Sequence, residues 1–501
     1  MKVLLITPQL KYNIDTPPIP LGIISIGTHL KKKGYDVVIY DRSVNRESMA
    51  SVCKKEKPDI VGISLISTKM LEDAIVVSKF FHSKNVKVVW GGIFPSELPE
   101  VFLKEEYIDF VSIGEGEYTW EELLVALENG RSFDEIKGLA FCDASGNVKV
   151  NPERPVMKGE ELLAPDYTLI NIDDYLTDYD IMLGRACLWV NTAKGCPHQC
   201  TFCYNKAFHH CRYRRRTPES YMTEIKYILD NSKADSVFFA DEIWCFSKED
   251  MYERCRIIKE SGLEFTWGCF MNVGILDAED YRYMYECGCR LIYFGLESGS
   301  QKRLDSVKKP IKDISKAAEE IEYCADVGIS PFVSFIIGFP DETKEELEAT
   351  ARLLKRVSYS GKLFCYFYIP YIGSELYNEL VRKNKLAPIT SIDQFNIKFP
   401  YNTLTKGADR NFTKVSLKEL NLIYSYSLLW SFFNKKSHSD KSLFAAFSKG
   451  FKDFLRSLIG MRGLSLAMLV CLFDFGFTYF SALMRAVFMR KTAKKYGLKI
   501  R

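Results

Sequence analysis

Lys194-Gly-Cys-Pro-His-Gln-Cys-Thr-Phe-Cys-Tyr204 sets three cysteines at C-x3-C-x2-C spacing, directly after an apolar run over 187–192. Thiolates are the usual protein ligands of iron–sulfur clusters. Three of them on one loop leave the fourth iron without a protein ligand, open to chelation by a small molecule. No nearby fourth thiol has ligand spacing; Cys211 is the closest, eight residues on. Zinc is the alternative, but it prefers four ligands, often as paired C-x2-C units. No second pair is present, and His198 lies inside the x3 gap, a poor position for closing a tetrahedron. The spacing points to Cys196, Cys200 and Cys203 as ligands of a 4Fe-4S cluster.

Around this loop the chain alternates strands and helices. Apolar strands fit at 187–192, 235–240, 264–270, 290–296, 331–337 and 363–369, with helical segments between them. Six βα units over 186–372 are too few for a closed eight-unit barrel, so a partial, TIM-like (βα)6 barrel is expected. Residues 1–137 form an earlier series, with strands at 2–7, 37–40, 60–65, 86–90 and 110–113. Helices are expected over 21–33, 70–83 and 120–128. Continuously apolar strands separated by helices indicate a parallel sheet covered on both faces. This is an α/β, Rossmann-like doubly wound domain, whose ligand should lie beyond the carboxyl ends of the strands. A connector is expected over 138–185, with a hairpin from Leu139 to Val150 around Ser145-Gly-Asn147. A linker over 373–414 leads to a helical region, 415–501.

The 501 residues carry fifteen cysteines, mostly scattered singly, and no secretory signal is expected at Met1–Leu10. The thiols therefore read as reduced, in a cytoplasmic setting, and able to act as metal ligands. The net charge of +4 is modest, but it is unevenly distributed: residues 435–501 hold fourteen Lys or Arg against three acids, or +11, leaving −7 for the rest. Basic charge alone could suggest nucleic acid, but no aromatic-basic reading surface stands out, and none is expected as a partner.

The cysteine motif, with Phe202 as the aromatic residue before its last cysteine, resembles the hallmark of the radical S-adenosylmethionine superfamily. In that family the open iron binds the amino and carboxylate groups of S-adenosylmethionine. One electron then cleaves the sulfonium to methionine and a 5′-deoxyadenosyl radical. The cofactors carry this chemistry, and the protein orients them. The resemblance extends along the barrel. Asp241 and Glu242, in Phe239-Ala-Asp-Glu-Ile-Trp244, match the position facing the cofactor's amino group. Glu297 and Ser298, in Gly295-Leu-Glu-Ser-Gly-Ser300, look like its ribose- and carboxylate-contacting residues. Gly338, in Phe335-Ile-Ile-Gly-Phe-Pro-Asp341, lies in the segment that packs against adenine, and Pro370–Leu376 resembles a common segment after the sixth strand. The third strand departs from the pattern: relatives often carry Arg near Asn272.

The first domain resembles the cobalamin-binding domain of a large radical subgroup, through Pro17–Gly22, Gly91-Gly92 and Ile113-Gly-Glu-Gly-Glu117. The positions this assigns to the cofactor are Ser64, Gly91, Gly92, Gly114, Glu115 and Gly116. Small residues there let a bulky ring or nucleotide tail approach the backbone. No Asp precedes any of the six His at the spacing of the Asp-x-His-x-x-Gly motif, so a histidine lower ligand to cobalt is not expected.

The resemblance implies a cobalamin-dependent methyltransferase acting on an unactivated carbon, with methylcobalamin delivering the methyl group. A radical cyclase or rearrangement enzyme acting on an apolar ring system is the enzymatic alternative, and a cobalamin or cluster sensor without turnover is a different class. The implied partners are a small-molecule substrate and a reductant such as flavodoxin or ferredoxin. No catalytic acid, base or hydrogen donor is identified; Cys269, Cys287, Cys289, Tyr366 and Tyr368 lie near barrel strands, where core packing accounts for them. Leu464–Phe488 is strongly apolar and flanked by basic residues, and Leu443–Leu458 is amphipathic. Buried helix, interfacial helix and membrane span compete for Leu464–Phe488, with spanning disfavoured by Asp474. The expectation drawn from this tail is peripheral membrane association and a lipid-like or otherwise apolar substrate.

Overall fold

The computed structural model describes residues 1–10, 16–179, 183–398 and 411–433. They fall into two compact units. The first holds Met1–Thr177, Ala186–Glu242 and the described part of 370–401; the second holds Ile243–Ile369 with the described parts of 178–185 and 402–433.

In the first unit, β1 (Lys2–Thr7), β2 (Asp36–Asp41), β3 (Ile60–Ser64), β4 (Lys87–Gly91) and β5 (Phe110–Ser112) pair in parallel in the order β2-β1-β3-β4-β5. The connecting helices are α1 (Leu21–Lys32), α2 (Met49–Glu56), α3 (Leu71–His82), α4 (Ile93–Glu97), α5 (Pro99–Phe102) and α6 (Glu117–Asn129). The strands bury both faces, as their unbroken apolar runs require. Chain order reverses between β1 and β3, where a doubly wound sheet opens its ligand crevice.

The hairpin expected within a connector has a different place. Its strands, β6 (Leu139–Cys142) and β7 (Val148–Val150), continue the first sheet antiparallel beyond β5. Leu139, Ala140 and Phe141 are buried, so the core of the first sheet claims the hairpin.

The first unit also takes in β8 (Cys187–Val190), β9 (Ala193–Lys194), α7 (Asn205–His209), β10 (Arg214–Arg215), α8 (Pro218–Asn231) and β11 (Ser236–Phe239). β8 and β11 run parallel, while β9 and β10 form a two-residue antiparallel ladder. After the sixth strand, α14 (Glu375–Arg382), α15 (Asp393–Lys398) and the segment between them send Tyr377, Ile389, Ile392 and Phe395 into the core of the first unit. Phe395 packs on Phe94 and Phe102 at ring separations of 5.7 and 5.5 Å.

The second unit contains four parallel strands in sequential order: β12 (Thr266–Met271), β13 (Cys289–Glu297), β14 (Ser330–Ile337) and β15 (Lys362–Phe367). Its helices are α9 (Lys248–Glu260), α10 (Ala278–Glu286), α11 (Gln301–Ser306), α12 (Ile314–Asp326), α13 (Lys344–Val357) and α16 (Leu417–Phe433). All six strands of the second βα series therefore form within two residues of their expected ends. Among the described residues no helix is long and apolar enough to cross a membrane. Both tail segments, Leu443–Leu458 and Leu464–Phe488, lie outside the described residues.

Candidate functional site: a three-cysteine loop and its supports

The cysteine loop is tied at its base and braced from within. At the base, the β9–β10 ladder pairs Lys194 with Arg214 and Ala193 with Arg215. Gly195 follows at φ +81°, and a Cβ there would stand 2.2 Å from the Arg212 carbonyl oxygen, so only glycine fits. Inside the loop, buried Asn205 clamps Cys196: its Oδ1 accepts the Cys196 N–H at 2.9 Å, and its Nδ2 donates to the Cys196 carbonyl at 2.7 Å. The Asn205 N–H points at the Cys203 Sγ, 3.5 Å away, and the Cys203 N–H donates to the Cys200 carbonyl at 3.1 Å.

Cys196, Cys200 and Cys203 are each half-buried. Among the described residues no three Cys, His, Asp or Glu side chains converge on one ion. A tetrahedral zinc site needs four ligands converging on one ion. In a cluster each thiolate holds its own iron, so three accessible thiols on a braced loop fit that group. A backbone N–H directed at a ligand sulfur is among the features that tune such clusters.

Asp241 and Glu242 belong to the same assembly, but they hold the loop. Asp241 is fully buried. Its carboxylate accepts from the Thr192 N–H at 2.6 Å, the Thr192 hydroxyl at 2.5 Å and the Ala193 N–H at 2.9 Å. Glu242 accepts the Gly195 N–H at 2.8 Å and meets His209 Nε2 at 3.1 Å. Burial alone would raise the Glu242 carboxyl, but the His209 hydrogen bond and the backbone N–H bonds it accepts, that of Gly195 among them, outweigh it and leave it below its ordinary value. Phe202 is half-buried on the loop.

The acidic turn after β5 reaches the same place. Both oxygens of Glu115 accept from Arg214 Nη1, at 2.7 and 2.8 Å. Glu117, also buried, accepts from Ser25 at 2.6 Å and Lys194 at 3.2 Å. Burial would raise Glu117 and lower Lys194, yet their mutual attraction reverses both directions. Glu115, expected against a cofactor, is thus turned toward Arg214.

The other small residues at these strand ends do line open space. Ser64, Gly91, Gly92, Gly114 and Gly116 border a narrow cleft of about 40 Å³. Gly92 has φ +96°, and a Cβ there would lie 2.6 Å from the Leu65 carbonyl oxygen. Gly114 also borders a larger cavity of about 520 Å³, with Ser96, Glu97, Glu153, Lys206, Phe208 and His210 among its walls. Burial, then the nearby Glu153 charge, raises the Glu97 carboxyl to about 7.

In the second unit, Glu297 ends β13 with φ +66°, beside a register shift relative to β14. Its buried carboxylate meets Lys309 at 3.1 Å. Ser298 is fully buried, with its hydroxyl 3.2 Å from that of Thr350. The Gly338 N–H donates to Glu342 at 2.7 Å. Sequence reasoning missed Lys194, Asn205, His209, Arg214 and Glu342. Their only sequence signal is a polar type beside a motif; the carboxylates that Lys194, His209 and Arg214 meet are remote in the chain.

The family model for the Radical SAM superfamily matches residues 190–354, and that for the B12 binding domain matches 11–124. An uncharacterized methyltransferase, PH0819, of Pyrococcus horikoshii is 32% identical over 397 residues, covering 77% of this chain and 84% of that protein. The anaerobic magnesium-protoporphyrin IX monomethyl ester cyclase of Rubrivivax gelatinosus is 27% identical, covering 76% of this chain and 69% of the cyclase. The solved structure of OxsB, a cobalamin-dependent S-adenosylmethionine radical enzyme, with aqua-cobalamin and S-adenosylmethionine bound, shares the fold. Its TM-score is 0.63 at 18% identity, covering 95% of this chain and 74% of that one. The chain belongs to the cobalamin-binding-domain-containing radical S-adenosylmethionine enzymes, whose cofactors are a 4Fe-4S cluster, S-adenosylmethionine and cobalamin.

Proposed function

We propose that this enzyme is a methyltransferase that alkylates an unactivated carbon of an apolar small molecule. The observation that carries this reading is the 32%-identical relative named a methyltransferase, whose match spans 77% of this chain. When bound, the cluster with S-adenosylmethionine supplies a carbon radical for hydrogen abstraction, and the corrinoid supplies a transferable methyl group. Cys196, Cys200 and Cys203 hold the cluster. Asn205, Asp241 and Glu242 keep their loop rigid, so the open iron is presented in one orientation. Glu297, Ser298 and Gly338 take S-adenosylmethionine at the strand ends of the second unit. Ser64, Gly91, Gly92, Gly114 and Gly116 admit the corrinoid, with Glu115 fixing the turn between the last two.

Anaerobic reconstitution with iron and sulfide tests the ligand assignment. Wild type should hold about four irons per chain, and Cys200→Ala should hold almost none. With a low-potential flavodoxin or ferredoxin as reductant, wild type should form 5′-deoxyadenosine. Label should pass from the S-adenosylmethionine methyl group to a product found by mass spectrometry of lipid extracts. The second reading, radical cyclisation, is favoured by the 27%-identical cyclase. It would yield deoxyadenosine with no label transferred.

The +11 charge over residues 435–501, interleaved with apolar runs, supports an association with anionic membrane surfaces. Liposome flotation of the full chain against a chain ending at 433 checks this; equal flotation would remove it.

A further inference from the structure

A continuous hydrogen-bonded chain runs from the turn after β5 to the peptide that precedes the first cysteine. Glu115 grips Arg214 through two contacts of 2.7 and 2.8 Å. Arg214 Nη2 lies 3.0 Å from His209 Nδ1. Arginine has only donors, so Nδ1 must accept, and the ring proton resides on Nε2. That Nε2 reaches Glu242 at 3.1 Å, and Glu242 accepts the Gly195 N–H at 2.8 Å. Glu115, Arg214 and His209 are all buried or nearly so, which shields these contacts from water. A second tie, Glu117 to Lys194, ends one residue earlier at the same peptide.

The chain of contacts lies directly behind the wall of the larger cavity. Gly114, next to Glu115, lines that cavity, and so do Phe208 and His210, on either side of His209. A ligand there touches residues beside Glu115, at one end of the relay, and beside His209, in its middle. Neither Glu115, Arg214 nor His209 carries a cluster-ligand or cofactor role of its own; each acts through the next.

We propose that Glu115, Arg214 and His209 are positioning residues that transmit corrinoid occupancy of the first domain to the cysteine loop, and so shift the reduction potential of the cluster. This rests on the assignment of Cys196, Cys200 and Cys203 as cluster ligands. Corrinoid bound at the glycine-lined strand ends moves the Gly114-Glu115 peptide. The relay passes that displacement to Gly195, which the β9–β10 ladder and the close Arg212 carbonyl hold directly before Cys196. The directional part is the fixed tautomer: a side chain with no acceptor facing Arg214 would break the relay while leaving the loop closed.

The test is a redox titration of the reconstituted full chain, with and without hydroxocobalamin, followed by electron paramagnetic resonance of the reduced cluster. Wild type should show a shift in midpoint potential and in signal shape on binding corrinoid. His209→Phe and Glu115→Gln should keep their iron and their corrinoid absorbance but lose that shift. Two variants at different points guard against one failing to fold, which circular dichroism would reveal. An equal shift in wild type and variants overturns the relay, and so does a wild type whose potential ignores corrinoid or that retains none. A wild type that assembles no four-iron cluster overturns the ligand assignment instead, and iron analysis separates the two failures.

Discussion

Burial raises the Glu342 carboxyl to about 7, against 4.5 for the unperturbed group. Its Oε2 accepts the Gly338 N–H, while its buried Oε1 meets no partner among the described residues. Below about pH 4.5 the group is protonated folded or unfolded, and it costs nothing. Above about pH 7 the folded state must ionise a buried carboxyl, and the whole cost of about 3 kcal/mol is present. Glu342→Gln keeps an acceptor for Gly338 and removes the charge. It should raise stability by about that amount near pH 8 and leave it unchanged near pH 4, read from urea midpoints. At this scale the sequence spoke unevenly. The three cysteines form a recognisable motif because their spacing is local. Asn205, His209 and Glu342 form none, because each acquires its role from a partner that folding brings to it. Asp241 and Glu242 were found at the right strand end, yet the carboxylates face the loop they support.

The turn after β13 places a left-handed Glu297 against Lys309, both buried. Removing one partner leaves an unpaired charge inside the protein, so Lys309→Met should destabilise by about 3–5 kcal/mol, seen as an earlier urea transition. Weaker binding of S-adenosylmethionine in equilibrium dialysis should accompany it. Most elements were readable beforehand, since short apolar runs rich in β-branched residues and bounded by turn residues read as strands buried on both faces. The short helices were not. α2 buries only Val52, and α4 and α5 are five and four residues long, too brief for periodicity to register. α6 begins at Glu117, three residues before its apolar stripe, because that carboxylate is drawn inward by Ser25 and Lys194.

At the level of the whole chain, the loop that carries the cysteines folds with the first sheet. The strongest reasons are the Glu115–Arg214 and Glu117–Lys194 pairs. A fragment beginning at residue 178 leaves Arg214 and Lys194 without their carboxylates. It should take up little iron on reconstitution, although it retains all three cysteines and every strand of the second series. Sequence alone suggested successive domains, because hydrophobic period reports elements and cannot report which element a buried charge will choose. The first unit also needs α14, α15 and the segment between them, whose Tyr377, Ile389, Ile392 and Phe395 complete its core, and the Leu376 N–H closes on the Thr201 carbonyl at 2.9 Å. Those residues leave the ribosome last among the parts of this unit. At ordinary elongation speeds the amino-terminal sheet, complete at Val150, waits roughly 12–50 s for the segment that seals it. During roughly 10–40 s of that interval the cysteine loop exists on an unsealed nascent chain, so iron–sulfur assembly that begins during translation meets a sheet already in place and a loop still awaiting its last support.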